Sequence, residues 1–182
     1  SNLYLNELDH TMAAAEYEMT RYADDFVIQC RTREEAEAAL EMVRTWTTER
    51  GLTLHPTKTK IVHVVEDGFE FLGYRFIKHR RFPRKKSMAK FKETIRSKTS
   101  RTNGHSMQSI IAHANRTLRG WFEYFKHSWR TTFPELDGWV RMRLRSILRK
   151  RSGRRGRGHG LDHRRYPNSF FAELGLFNMT AS

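Results

Sequence analysis

Two adjacent carboxylates, Asp24 and Asp25, stand inside the stretch EMTRYADDFVIQC (residues 18–30), between two runs rich in β-formers. A pair of this kind suits metal-assisted phosphoryl or nucleotidyl transfer, in which protein carboxylates hold divalent ions that activate the attacking hydroxyl and stabilise the leaving oxygen. Magnesium prefers oxygen ligands and keeps water and substrate phosphate in its shell, so an exposed turn presenting carboxylates can hold it. Neighbouring residues on a regular strand point to opposite faces and a turn relaxes that alternation, so the two carboxylates are expected to have unequal roles, with Asp24 the principal ligand. Asp-Asp is also a favoured turn dipeptide, and taken alone the pair supports either meaning.

The elements around the pair read as alternating helix and strand. Leu5, Leu8, Met12 and Ala15 fall at helical spacing over residues 2–16; YEMTRYA and FVIQC then flank the aspartates as the arms of a hairpin. Thr32 with Glu35 three residues on is a capping box, and Gly51 stands where a helix C-terminal cap belongs, which predicts a helix through EEAEAALEMVRTWTTER. LTLHPTKTKIVHVV, with a Pro-containing turn in its middle, and FEFLGYRFI are expected to be strands that close an α+β layer.

Charge divides the chain. Residues 1–78 carry nine Lys+Arg against fourteen Asp+Glu, net −5, whereas residues 79–182 carry 25 against six, net +19. The change falls at KHRRFPRKKSMAKFK, where Pro83 and clustered cations break the apolar periodicity, so the boundary is placed near residues 80–87. Beyond it three amphipathic helices are expected. One starts near Phe91 and Ile95, a second carries Met107, Ile111, Ala114, Leu118, Trp121 or Phe122, Phe125 and Trp129, and a third starts near Pro134. Arg141, Arg145 and Arg149 recur every four residues on the third, and RSGRRGRGHG (151–160) reads as flexible from its glycine and charge content. Tyr124 lies off the apolar stripe and is the aromatic most expected to be exposed. So basic a half-chain indicates a nucleic-acid surface, with Arg116, Arg119, Lys126, Arg141, Arg145 and Arg149 as its contacts.

The single cysteine, Cys30, excludes an internal disulfide framework and a Cys-based zinc site and favours a reducing compartment, the cytoplasm by default. No apolar run is long enough to span a bilayer, so no membrane partner is expected.

RYADDFVI, GLTLHPTKTKIVHV and FEFLGYRF, in that order, resemble three consecutive blocks of group II intron reverse transcriptases. NLYLNELD resembles the helix-opening block before them, IIAHANRTLRGWFEYFKH the maturase (X/thumb) domain and PNSFFAELGLF the C-terminal stretch of that family. The resemblance implies an α+β fold: a partial polymerase palm (helix, YADD hairpin, helix, strands) over residues 1–80, a basic linker at 81–87 and a three-helix maturase/thumb bundle over 88–182. It implies that Asp24 and Asp25 bind Mg²⁺, that Tyr22 and Ala23 lie beside the primer end, that Lys58 lies near the incoming nucleotide's phosphates, and that Gly73 of the FLGY block allows close backbone approach. The implied partners are group II intron RNA, an RNA template with its DNA primer, and deoxynucleotides.

One departure from the family pattern carries weight. The family has a further metal-binding aspartate on a strand well before the YADD hairpin, and Asp9, on the first expected helix, does not replace it. The chain is therefore expected not to polymerise unaided, and its start at Ser1 inside a family block suggests a fragment to which a separate N-terminal half could be supplied. A stand-alone maturase-like RNA-binding module and a catalytically inactive remnant are the alternative readings.

Overall fold

The computed structural model describes residues 2–181; Ser1 and Ser182 lie outside them. The chain forms two compact units, Ser1–Leu72 with Phe76–His79, and Gly73–Arg75 with Arg80–Ser182. Among the described residues there are seven helices and two small sheets, an α+β composition.

The first unit opens with α1 (Asn2–Ala14), followed by the antiparallel strands β1 (Glu18–Tyr22) and β2 (Asp25–Gln29) and then α2 (Arg33–Glu49). The register runs from Glu18 opposite Gln29 to Tyr22 opposite Asp25, which leaves Ala23 and Asp24 as a two-residue turn. Ala23 takes a φ of +56°, the left-handed region that tight hairpin turns require because it matches the twist of the strands. Thr32 Oγ1 caps α2 by accepting from the Glu35 amide (3.2 Å), and the Glu35 carboxylate accepts in return from the Arg31 amide (2.6 Å). Leu8 and Met12 of α1 meet Ala39, Val43 and Trp46 of α2 in a core that Met19, Phe26 and Ile28 of the hairpin complete. Fully burying a side chain of the Leu, Met or Val class stabilises by roughly 1.5–3 kcal/mol, so this small core is what holds the turn in place.

The strands expected in LTLHPTKTKIVHVV do not form among the described residues. The stretch is irregular, with turns at residues 56–58 and 64–67. Pro56 has no amide to give a ladder, and the His55 carbonyl instead accepts from the Lys58 (3.3 Å) and Thr59 (3.0 Å) amides. FEFLGYRFI is two strands, β3 (Phe69–Phe71) and β4 (Tyr74–Ile77), joined by a turn in which Leu72 and Gly73 have φ of +47° and +79°. Residues 81–87 are not a linker. β5 (Arg80–Pro83) completes a sheet of order β3-β4-β5, and α3 begins at Lys85.

The second unit is built on α3 (Lys85–Lys98), α4 (Met107–Phe125) and α5 (Thr132–Arg151). Its core takes Phe91 and Ile95 from α3, Met107, Ile110, Ile111, Ala114 and Leu118 from α4, and Phe133, Leu136, Val140, Leu144 and Ile147 from α5. The stripe of the second helix stops at Phe125, and Trp129 lies beyond it in the connection to α5. Two short helices, α6 (Leu161–Arg165) and α7 (Asn168–Glu173), fold the C-terminal segment back so that Phe171 and Met179 enter the same core.

Side-chain clamps fix that return. Asn115 donates to the Gly175 carbonyl (2.7 Å) and accepts from the Phe177 amide (2.9 Å). The buried Asp137 carboxylate accepts from the Met179 amide (3.2 Å), the Thr180 amide (3.0 Å) and the Thr180 hydroxyl (2.7 Å). Asp137→Asn turns an acceptor-only group into one whose amide nitrogen faces a donor, and an unmade buried hydrogen bond of this kind costs about 1–3 kcal/mol. The variant is expected to cleave faster within residues 174–181 under limited proteolysis; wild-type protection there would show that the clamp does not hold the tail.

Candidate metal site and cationic surface

One guanidinium braces the acidic turn against α1. Arg21, on β1, donates from Nε to Asp9 Oδ1 (2.8 Å) and from Nη2 to Asp9 Oδ2 (2.5 Å), a two-pronged pair with a residue of α1. Its remaining Nη1 donates to the Ala23 carbonyl (2.8 Å), inside the turn. The Arg21 hydrogen bonds hold the Asp9 carboxyl below the usual carboxylate range against the opposing effect of its partial burial. Asp9, set aside from sequence as an upstream metal ligand, is thus occupied with bracing the hairpin. The bracket was invisible in the sequence because it joins residues twelve apart on different elements.

Asp24 at the turn and Asp25 at the head of β2 are both exposed, and neither carboxylate forms a hydrogen bond or ion pair among the described residues. Those residues contain no group of three or more His, Cys, Asp or Glu that could cage an ion. Two free carboxylates fit magnesium, which is commonly held through one or two carboxylates with water and phosphate completing its shell. Tyr22 is 67% exposed on the near strand and Ala23 is half-buried. Lys58 is exposed on the turn after Pro56. Gly73 owes its place to the turn: its φ of +79° disfavours any side chain, and its carbonyl accepts from the Arg84 amide (2.9 Å) and Ser87 Oγ (3.3 Å).

In the second unit the expected cations part company. Arg116 is exposed; Arg119 is exposed with its guanidinium 4.6 Å from the Phe177 ring; Lys126 pairs with Glu123; Arg141 is half-buried. Arg145 is 2% exposed and points inward, donating from Nε to the Tyr166 carbonyl (2.9 Å) and from Nη2 to Asn168 Oδ1 (2.7 Å). Arg149 donates to Asp162 Oδ2 (2.7 Å) and to the Arg155 carbonyl (2.6 Å). Arg145 and Arg149 are therefore braces of the C-terminal return and not surface contacts, because residues 155–171 cover the side of α5 on which they lie. Tyr124 is exposed, as its place off the stripe predicts.

The family described as reverse transcriptase (RNA-dependent DNA polymerase) matches residues 1–76, and the group II intron maturase-specific domain matches residues 88–166. The chain belongs to the group II intron reverse transcriptase and maturase family. No curated protein matches it in sequence. In this group II intron protein the acidic turn falls inside the reverse-transcriptase segment, and Lys126 and the named arginines of α4 and α5 fall inside the maturase-specific segment. Among the described residues no helix is long and apolar enough to cross a membrane.

Proposed function

We propose that this group II intron protein supplies the acidic metal-binding turn of a polymerase palm and the RNA-binding helical thumb of a maturase. One observation carries the reading: an exposed, unpaired Asp24–Asp25 turn lies in the reverse-transcriptase segment, and a maturase-specific segment of strongly positive charge follows it in the same chain. A magnesium ion, when bound, supplies charge neutralisation at phosphate and a more acidic primer hydroxyl. Asp24 is its principal protein ligand and Asp25 the second. Arg21 keeps the turn from yielding by holding the Ala23 carbonyl. Tyr22 and Ala23 border the primer end, the Lys58 ammonium offsets charge on the incoming nucleotide's phosphates, and Gly73 keeps the neighbouring backbone close. Arg116, Arg119, Lys126 and Arg141 contact intron RNA phosphates. In the complete protein these parts copy RNA into DNA on a DNA primer with deoxynucleotides and help the intron fold for splicing. A cytoplasmic setting suits the lone Cys30 thiol.

The metal assignment is tested without an activity assay. Titrating the chain with Mn²⁺ is expected to broaden the amide signals of residues 22–26 first, and Asp24→Asn to weaken the apparent affinity by roughly tenfold or more, as loss of a metal-supporting group commonly does. Uniform broadening, or an unchanged titration with Asp24→Asn, overturns the assignment.

A further inference from the structure

Three cations of the second unit converge, and none of them forms an ion pair with a carboxylate among the described residues. The half-buried indole of Trp139, on α5, packs against the core, and three cations crowd its ring: Lys92 Nζ at 5.8 Å, the Arg96 guanidinium at 5.7 Å and the Arg143 guanidinium at 5.6 Å. Arg143 is fixed from within, donating from Nε to Thr99 Oγ1 (2.7 Å) and from Nη2 to the Thr99 (2.9 Å) and Arg96 (3.3 Å) carbonyls. Burial first, and then the charges of Arg96 and Arg101, lower the pKa of Arg143. Among the described residues none of Lys92, Arg96, Arg101 or Arg143 forms an ion pair, although Glu93 and Glu135 lie on the same two helices.

An ordinary solvated helix face spaces its cations or alternates their signs. Here the ring quadrupole gathers like charges onto one indole, and that attraction offsets only part of their mutual repulsion. The arrangement is preorganised for an anion with several acceptor oxygens. Fixed guanidinium forks suit phosphate in particular.

We propose that the α3–α5 face formed by Lys92, Arg96 and Arg143 around Trp139 is a track for the phosphodiester backbone of RNA, with Trp139 the residue that positions its cations. The proposal rests on the RNA-binding reading above and places the principal contact on residues other than those the helical periodicity singled out. An acidic protein segment is the competing occupant. RNA is favoured by the maturase-specific match over this very segment, residues 88–166.

The test measures binding of a labelled oligouridylate to the full chain across a salt series, with thermal melts to confirm that each variant is folded. Lys92→Gln with Arg96→Gln is expected to weaken binding about tenfold or more at low salt and to make the slope of log affinity against log salt shallower by roughly 1.4, two contacts at about 0.7 each on a single strand. Trp139→Phe removes no charge, yet is expected to weaken binding severalfold because phenylalanine holds cations less well than tryptophan. Full affinity in the Lys92/Arg96 variant, with loss instead in Arg116→Gln plus Arg119→Gln, overturns this face while leaving RNA binding intact. No RNA binding by the wild-type chain overturns the reading beneath it as well. Displacement of the RNA by polyglutamate at equal charge concentration assigns the face to an acidic protein and rejects the RNA track.

Discussion

Arg145→Ala is expected to destabilise the helical unit by about 3–5 kcal/mol, the cost of a truncated buried side chain plus acceptors left without donors. The side chain is 2% exposed; it donates to the Tyr166 carbonyl and Asn168 Oδ1, and its guanidinium lies 5.2 Å from the Phe171 ring. Removing it strands two acceptors and empties the space between α5 and the return through α6 and α7. In a chain of this size each kcal/mol shifts the melting temperature by roughly 2–4 °C, so a fall of about 10 °C is expected. Arg145→Lys is not a rescue, because a single ammonium cannot reproduce two divergent donors of a planar fork. Arg116→Ala, on an exposed position of α4, is expected to stay within about 0.5 kcal/mol of wild type. Thermal and urea melts of the three variants decide the matter. Wild-type melting of Arg145→Ala combined with weakened RNA binding would return the side chain to the surface role that its spacing suggested.

That suggestion failed for a geometric reason. A helix turns once every 3.6 residues, so each step of four advances about 40° around the axis, and a row of three arginines drifts across faces of different exposure. Arg141 stays half-exposed, Arg145 falls under the C-terminal return and Arg149 lies at its margin. The segment that covers Arg145 leads out of 151–160, whose glycine and charge content predicts flexibility. At Gly158 the glycine serves close packing: a Cβ there would lie 2.5 Å from Arg145 Cβ, and the Gly158 amide donates to Ser146 Oγ (3.0 Å). Arg101 pins the same segment at the Gly156 carbonyl (3.2 Å). Features written in local spacing were legible, namely the Thr32 cap, the hairpin around Asp24 and Asp25, the apolar stripe of α4 and the change of charge sign near residue 80. Features that depend on residues far apart in sequence were not. These include the Asp9–Arg21–Ala23 bracket, the Asp137 clamp, the cation cluster on Trp139 and the absence of a strand between residues 52 and 63 among the described residues, where β-branched residues had no ladder to join.

The second large effect centres on Asp162, 1% exposed, whose carboxylate accepts from Arg149 Nη1 (2.7 Å) and from the His159 amide (3.2 Å). Burial by itself pushes the carboxyl up; the Arg149 hydrogen bond, the His159 amide and the charges of Arg149 and His159 outweigh it and hold the group below the usual range. A carboxyl whose pKa is depressed on folding adds stability that is fully present above its unfolded value, about 3.9, and drains away as pH falls through the folded value. Wild-type stability is therefore expected to rise with pH across the acid window below about 5, with this pair contributing no slope near neutrality. Asp162→Asn removes that contribution to the acid slope and leaves Arg149, 18% exposed, without its counter-charge, at a cost of about 2–3 kcal/mol at neutral pH. Pairing the change with Arg149→Met, which leaves neither charge stranded, is expected to cost less than the two single variants together. Urea midpoints from pH 3 to 7 provide the measurement. An Asp162→Asn variant that keeps the wild-type acid slope, or a double variant whose loss is additive, would mean that the carboxylate and guanidinium do not act as a pair.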